Sequence, residues 1–220
     1  KAMGEEGRIV QSAEDLTVPL RVPAEAYISP DYARAERDRL WRKVWLQAGR
    51  LEDIPEVGDF LTFDIVDDSV IVVRASETEI HAFHNVCPHR GRKLVDTPPG
   101  KRNARGHRRS FICGYHGWTF GLDGANTYLE HQEDWQGRLC AGRADLGVVQ
   151  VDTWGGGVWI NLAPDPMPLA DYLHPAAGML DPYGLQNMRP RWRKWVVFEC
   201  NWKVAMEAFC ETYHLSLIHI

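Results

Sequence analysis

The spacing of apolar side chains changes character along this chain. Residues 29–45, SPDYARAERDRLWRKVW, place Leu40, Trp41, Val44 and Trp45 on one helical face, and Ser29 before Pro30 supplies a helix start. After Glu56–Asp59 the period drops to two. Phe60–Val66 and Ser69–Ala75 flank the polar pair Asp67-Asp68, and EIHAF (79–83) follows another polar turn. Further short strands are predicted at Ser110–Cys113, Trp118–Gly121, Leu146–Asp152 and Gly157–Leu162, with GLDG (121–124) and WGGG (154–157) as turns. This is the pattern of an antiparallel meander.

The proline-rich APDPMPLADYLHP (163–175) reads as the exit from that β region. Beyond it, RWRKWVVFECNWKV (191–204) predicts a strand entering a helix over KVAMEAFCETYHL (203–215), with Val204, Ala205, Ala208 and Phe209 available for packing. The expected class is α+β, mainly antiparallel β. Its divisions are a helical segment at 1–45, a β domain at 46–164 and a third region at 165–220.

At 220 residues and 45% hydrophobic content the chain can build a core, and its nine Trp, 19 Gly and 13 Pro suit short elements joined by tight turns. A net charge of −5 argues against a general nucleic-acid or anionic-membrane binder. No apolar run has the length of a spanning helix, and residues 1–25 lack a signal peptide's apolar middle. No membrane association and a cytoplasmic location are therefore expected. There the five scattered cysteines, an odd number, serve as metal ligands or buried thiols rather than a disulfide framework.

Two short motifs carry the chemistry. NVCPHRGRKL supplies Cys87 and His89; FICGYHGWTFGLDG supplies Cys113 and His116. Two Cys and two His can hold a tetrahedral zinc, or a two-iron, two-sulfur centre in which one iron takes both thiolates and the other both imidazoles. Each motif contributes one Cys and one His, as two opposed loops around an asymmetric cluster would, whereas common zinc fingers pair Cys with Cys and His with His. Near the chain end, Glu207, Glu211 and His214 fall at i, i+4 and i+7, one face of a helix, with His219 five residues further on. Such spacing alone is more often a solvated charged stripe than a metal site.

CPHRG followed by CGYHGWTFGLDG resembles the Rieske iron–sulfur motif in its ring-hydroxylating oxygenase form. CNWKVAMEAFCETYH (200–214) is similar to the segment that begins the catalytic domain of the same oxygenases. The resemblance runs from about Leu40 to His214. It implies a Rieske domain at 46–164, the beginning of a catalytic non-haem iron domain at 165–220, and a [2Fe–2S] cluster on Cys87, His89, Cys113 and His116. A mononuclear Fe(II) would take His214 and, by spacing, His219, with a later aspartate as third ligand. Glu211 would orient the first iron histidine and bridge electrons to it from a neighbouring subunit's cluster. The family's electrons come from NAD(P)H through a reductase, sometimes with a ferredoxin. Its members act on small organic, often aromatic, substrates with dioxygen, and assemble as homotrimers or α3β3 complexes. A stand-alone Rieske ferredoxin is the rival reading, and 200–214 is what separates the two.

Two departures qualify the match. Respiratory Rieske proteins carry two further cysteines that form a disulfide beside the cluster; Arg92 and Tyr115 occupy those places here, so that disulfide cannot form. The interval from His89 to Cys113 is longer than usual and includes PPGKRNARGHRR (98–109), either a solvated hairpin tip or a basic docking patch for an acidic electron donor. Leu215–Ile220, LSLIHI, also equals the translation of a common transposon-end sequencing adapter; on that origin His219 matches the family only by coincidence.

Overall fold

The computed structural model describes residues 22–139, 142 and 144–210. These divide between two compact units, one within 35–196 and a smaller one drawn from 22–34 and 197–210.

The larger unit is built on ten antiparallel strands: β1 (Leu46–Arg50), β2 (Asp59–Ile65), β3 (Asp68–Arg74), β4 (Ile80–His84), β5 (Arg105–His107), β6 (Phe111–Ile112), β7 (Thr119–Phe120), β8 (Asn126–Tyr128), β9 (Val148–Trp154) and β10 (Gly157–Asn161). Seven form one sheet in the order β1-β10-β9-β4-β3-β2-β5, and β6-β7-β8 form a second. Every strand predicted between residues 60 and 162 is present; β1, β5 and β8 are additional.

Alternation along β2 and β3 sorts side chains to two cores. Phe60, Ile71, Val73 and Phe83 pack on one face with Phe111, Trp118 and Phe120, and this core also contains Cys87 and Cys113. Leu61, Val70, Val72 and Ala82 face the other way, onto Ala48, Ile54, Val149, Val158 and Ile160. Burial of all four residues Val70–Val73 reflects a strand covered on both faces. The sheet curls enough to bring β1 over β2: a Cβ on Gly49 would stand 2.6 Å from Leu61 Cδ2, so glycine is what permits that approach.

The helical expectation at 29–45 is met in part. Helix α1 spans Glu25–Ile28, and α2 (Pro30–Glu36) starts where Ser29 Oγ accepts the Tyr32 amide at 3.3 Å. The helix then widens into a π turn at Arg37–Trp41, closed by Arg42 N–H on Arg37 C=O at 3.1 Å, and ends before Val44. Arginines anchor it there: Arg37 reaches Asp67 at 2.7 Å, and Arg42 grips both oxygens of Asp68 at 2.7 and 3.0 Å.

Residues 165–196 belong to the same compact unit as the sheets. They carry α3 (Leu169–Tyr172) and α4 (Ala176–Leu180). Trp45 Nε1 donates to Met167 C=O at 2.8 Å, Arg50 Nη2 to Met188 C=O at 2.8 Å, and Arg193 Nη1 to Asp53 at 2.7 Å. The strand predicted within 191–200 does not form. A strand needs a ladder neighbour, and this segment has none among the described residues; Trp192, Val196, Val197 and Phe198 are exposed.

In the smaller unit, α5 (Trp202–Cys210) forms as predicted, opened by Asn201, whose Oδ1 accepts the Lys203 amide at 3.0 Å. Of the four residues expected to pack, Ala205 and Ala208 are half-buried and Val204 and Phe209 are exposed. No helix among the described residues is long and apolar enough to cross a membrane.

Candidate iron–sulfur site

The two Cys/His motifs fold into matching loops. After β4, the Cys87 amide donates to Arg92 C=O at 2.8 Å and the Gly91 amide to Cys87 C=O at 3.0 Å. After β6, the Cys113 amide donates to Trp118 C=O at 2.8 Å and the Gly117 amide to Cys113 C=O at 3.0 Å. Both loops place glycine four residues beyond the cysteine, each at φ +70°. Nothing lies within 4 Å of where a Cβ would stand, so the left-handed backbone and not lack of space calls for glycine.

The loops bring like donors together. Cys87 and Cys113 are buried free thiols, 2% and 3% exposed. Burial pushes the Cys87 thiol up, the His89 and Arg90 backbone amides that point at its sulfur pull it down, and the adjacent Cys113 thiol raises it further. The His89 and His116 rings lie 4.7 Å apart. Burial, then the neighbouring His116 and Arg90, hold His89 below the usual imidazole range. His116 Nδ1 is buried without a hydrogen-bond partner.

Aromatic rings fix the imidazoles. Trp118 stacks on His89 at 4.8 Å and 7°, and Tyr115 on His116 at 3.9 Å and 28°. Trp135 joins them: it sets its edge 6.2 Å from His89 and 5.8 Å from Trp118.

This donor set fits a [2Fe–2S] centre. Thiol lies beside thiol and imidazole beside imidazole, as two irons with two protein donors each require, whereas one tetrahedral ion would draw all four together. Among the described residues, no three Cys, His, Asp or Glu side chains gather as for a single ion. A buried nitrogen with no partner is costly, about 1–3 kcal/mol, unless a metal takes its lone pair.

Comparison with known proteins agrees. Residues 44–140 match the family model of the Rieske [2Fe-2S] domain, and residues 185–220 that of the ring hydroxylating alpha subunit (catalytic domain). The chain belongs to the Rieske oxygenase α subunits. It is 32% identical over 202 residues to the glycine betaine monooxygenase oxygenase subunit of Pseudomonas aeruginosa, covering 90% of this chain and 44% of that one. To the large oxygenase component of the naphthalene 1,2-dioxygenase system of Pseudomonas putida it is 34% identical over 194 residues, covering 84% and 41%. The chain thus spans less than half the length of these relatives. Its fold matches the quaternary ammonium Rieske monooxygenase CntA with TM-score 0.78 at 24% identity, over 90% of this chain and 55% of that one. A naphthalene 1,2-dioxygenase structure with bound indole matches with TM-score 0.60 at 33% identity, over 68% and 32%. The cofactors of this oxygenase family are a [2Fe–2S] cluster and a mononuclear iron.

Glu211, His214 and His219 lie outside the described residues, as does Cys140. Glu207, the first member of the helical trio, is described, and its carboxylate accepts the Tyr27 hydroxyl at 2.7 Å.

Sequence reasoning also passed over Asn85, 2% exposed and two residues before Cys87. Its Oδ1 accepts the amides of Leu94 and Val95 at 3.1 and 2.9 Å; its Nδ2 donates to Val95 C=O at 2.8 Å and Ser69 Oγ at 3.1 Å. One amide side chain thereby ties the end of β4 to the segment leaving the first loop of this Rieske domain. An asparagine immediately before the motif was the available signal, but its partners are backbone groups that no spacing rule identifies.

Proposed function

We propose that this chain serves an oxygenase that takes single electrons from NAD(P)H, through a reductase with or without a ferredoxin, and uses them with dioxygen to oxidise a small organic substrate. Hydroxylation, dihydroxylation and dealkylation all belong to this class. In the proposed division, 1–45 is a helical lead, 46–164 the electron-receiving domain and 165–220 the beginning of the iron-binding domain. Assembly follows three α subunits, with or without β subunits, and the location is cytoplasmic.

The observation that carries this reading is the pairing of Cys87 with Cys113 and His89 with His116 on two self-closed loops. When bound, the cluster supplies one-electron storage and the mononuclear iron supplies dioxygen activation. The chain's own residues do the rest. Cys87 and Cys113 would hold one iron through thiolates, and His89 and His116 the other through imidazoles. The His89 and Arg90 amides donate toward the Cys87 sulfur and favour its anionic form. Trp118 and Tyr115 keep the ring planes in place, and burial of both thiols excludes water. Glu211, His214 and His219 are assigned to the electron bridge and the second iron by motif alone. A stand-alone Rieske carrier would need no catalytic segment, so the match over 185–220 favours the oxygenase.

Anaerobic reconstitution with iron and sulfide tests the reading. The reduced protein should give the low-g-value spin-resonance signal of a His-ligated two-iron cluster, and H116C should move it toward the all-thiolate type. Stoichiometric zinc with no such signal, or an H116C spectrum identical to the parent, would overturn the assignment.

A further inference from the structure

The basic stretch 98–109 plays no part in the redox site, and the structure divides its cations. Arg108 lies over the Phe60 ring, 5.4 Å from its centroid. Lys101, Arg102 and Arg105 instead line a cavity of about 780 Å³. Arg193 and Lys194 face the same space from the segment that forms no strand, together with the indoles of Trp192 and Trp195.

Charge in this cavity is not balanced. Arg105 and Arg193 both reach Asp53, at 2.6 and 2.7 Å, and Arg193 also lies 3.9 Å from Glu52, so these two guanidiniums are paired. Lys101 and Arg102 have no ion-pair partner among the described residues, and Lys194 lies over the Trp192 ring at 5.2 Å. Among the described residues, no Asp or Glu lines the cavity. Cations from two distant parts of the chain therefore share a concave space, and an anion there would relieve their mutual repulsion. The volume falls in the range of small-molecule pockets, about 300–1,000 Å³. The indoles add flat apolar surface beside the charge.

We propose that this cavity is a binding site for a small planar organic anion, its phosphate or carboxylate held by Lys101, Arg102 and Lys194 and its ring lying on the indoles of Trp192 and Trp195. The site is independent of the cluster assignment. A concave, ring-sized space with aromatic walls favours a small molecule over an acidic protein face.

Calorimetric titration of the full chain with AMP tests this, alongside adenosine (ring without charge), inorganic phosphate (charge without ring) and polyglutamate. AMP should bind saturably with Kd about 0.1–1 mM, roughly tenfold tighter than adenosine or phosphate, and more weakly as salt rises. The K101E/R102E double variant should weaken AMP by at least about tenfold, and W192A should erase the advantage of AMP over phosphate. Circular dichroism and cluster absorbance of each variant should equal the parent's. No saturation up to 10 mM AMP, equal binding of AMP and adenosine, or unchanged affinity in a folded K101E/R102E would overturn the proposal. Tight polyglutamate binding without AMP binding would also overturn it, and would make this face a protein docking surface.

Discussion

Replacing Asn85 with alanine should cost more than its size suggests. The substitution removes all four side-chain hydrogen bonds and leaves the Leu94 amide, the Val95 amide and the Val95 carbonyl without this partner. Leu94 and Val95 are 6% and 3% exposed, so water cannot readily replace it. At about 1–3 kcal/mol for each of these three buried groups left unpaired, the expected loss is about 3–9 kcal/mol, a large share of a domain stability of about 5–15 kcal/mol. Urea unfolding of parent and variant, with unchanged denaturant slope as the check on two-state behaviour, measures the difference. Hydrogen exchange localises it: the Leu94 and Val95 amides should lose protection well before those of β3. A loss under about 1 kcal/mol, with both amides still protected, would refute the argument that this side chain bolts the first loop to the sheet.

Three further outcomes are expected. Val66 sits at φ 51° in the two-residue turn between Ile65 and Asp68, a conformation costly for a β-branched residue, so V66G should stabilise the chain by about 1 kcal/mol, read as a raised urea midpoint. Burial would raise the Asp53 carboxyl, but the Arg193 hydrogen bond, the Arg50 amide and Arg105 together hold it below the ordinary range. Its stabilising contribution is therefore complete above the unfolded value of about 3.9 and lost as pH falls through the lower folded one; D53N should flatten the stability–pH profile below about pH 4, which acid titration followed by circular dichroism checks. Removing Trp135 in W135A breaks its edge contacts with His89 and Trp118 and should cost about 1–3 kcal/mol in unfolding and speed cluster loss to a chelator, with W135F restoring most of both.

Alternation of apolar residues was enough to place the long strands, because β2, β3, β4, β9 and β10 each send apolar side chains into one of the two cores and so record the sheet in their sequence. It missed β1, where LQAGR carries a glycine that Leu61 requires, and β5, whose three residues Arg105–His107 are all exposed and leave no apolar trace. It overread 191–200, whose composition suits a strand but which has no neighbour to pair with among the described residues. At the site, the four donors were legible from spacing, and Tyr115 and Trp118 from adjacency. Asn85 and Trp135 were not, since one works through backbone groups of another segment and the other arrives from a turn well downstream.

Self-closure of the two loops isolates each from whatever joins them. Cys87 to Arg92 and Cys113 to Trp118 are equal in length and sealed by the same pair of amide bonds, so neither relies on the intervening chain for its shape. Beyond Val95, which Asn85 ties to the sheet, the connector is consequently free to grow, shrink or change its charge without disturbing the grip. A chain like this one can thus acquire the basic 98–109 insertion as a new surface while its redox centre stays as it was.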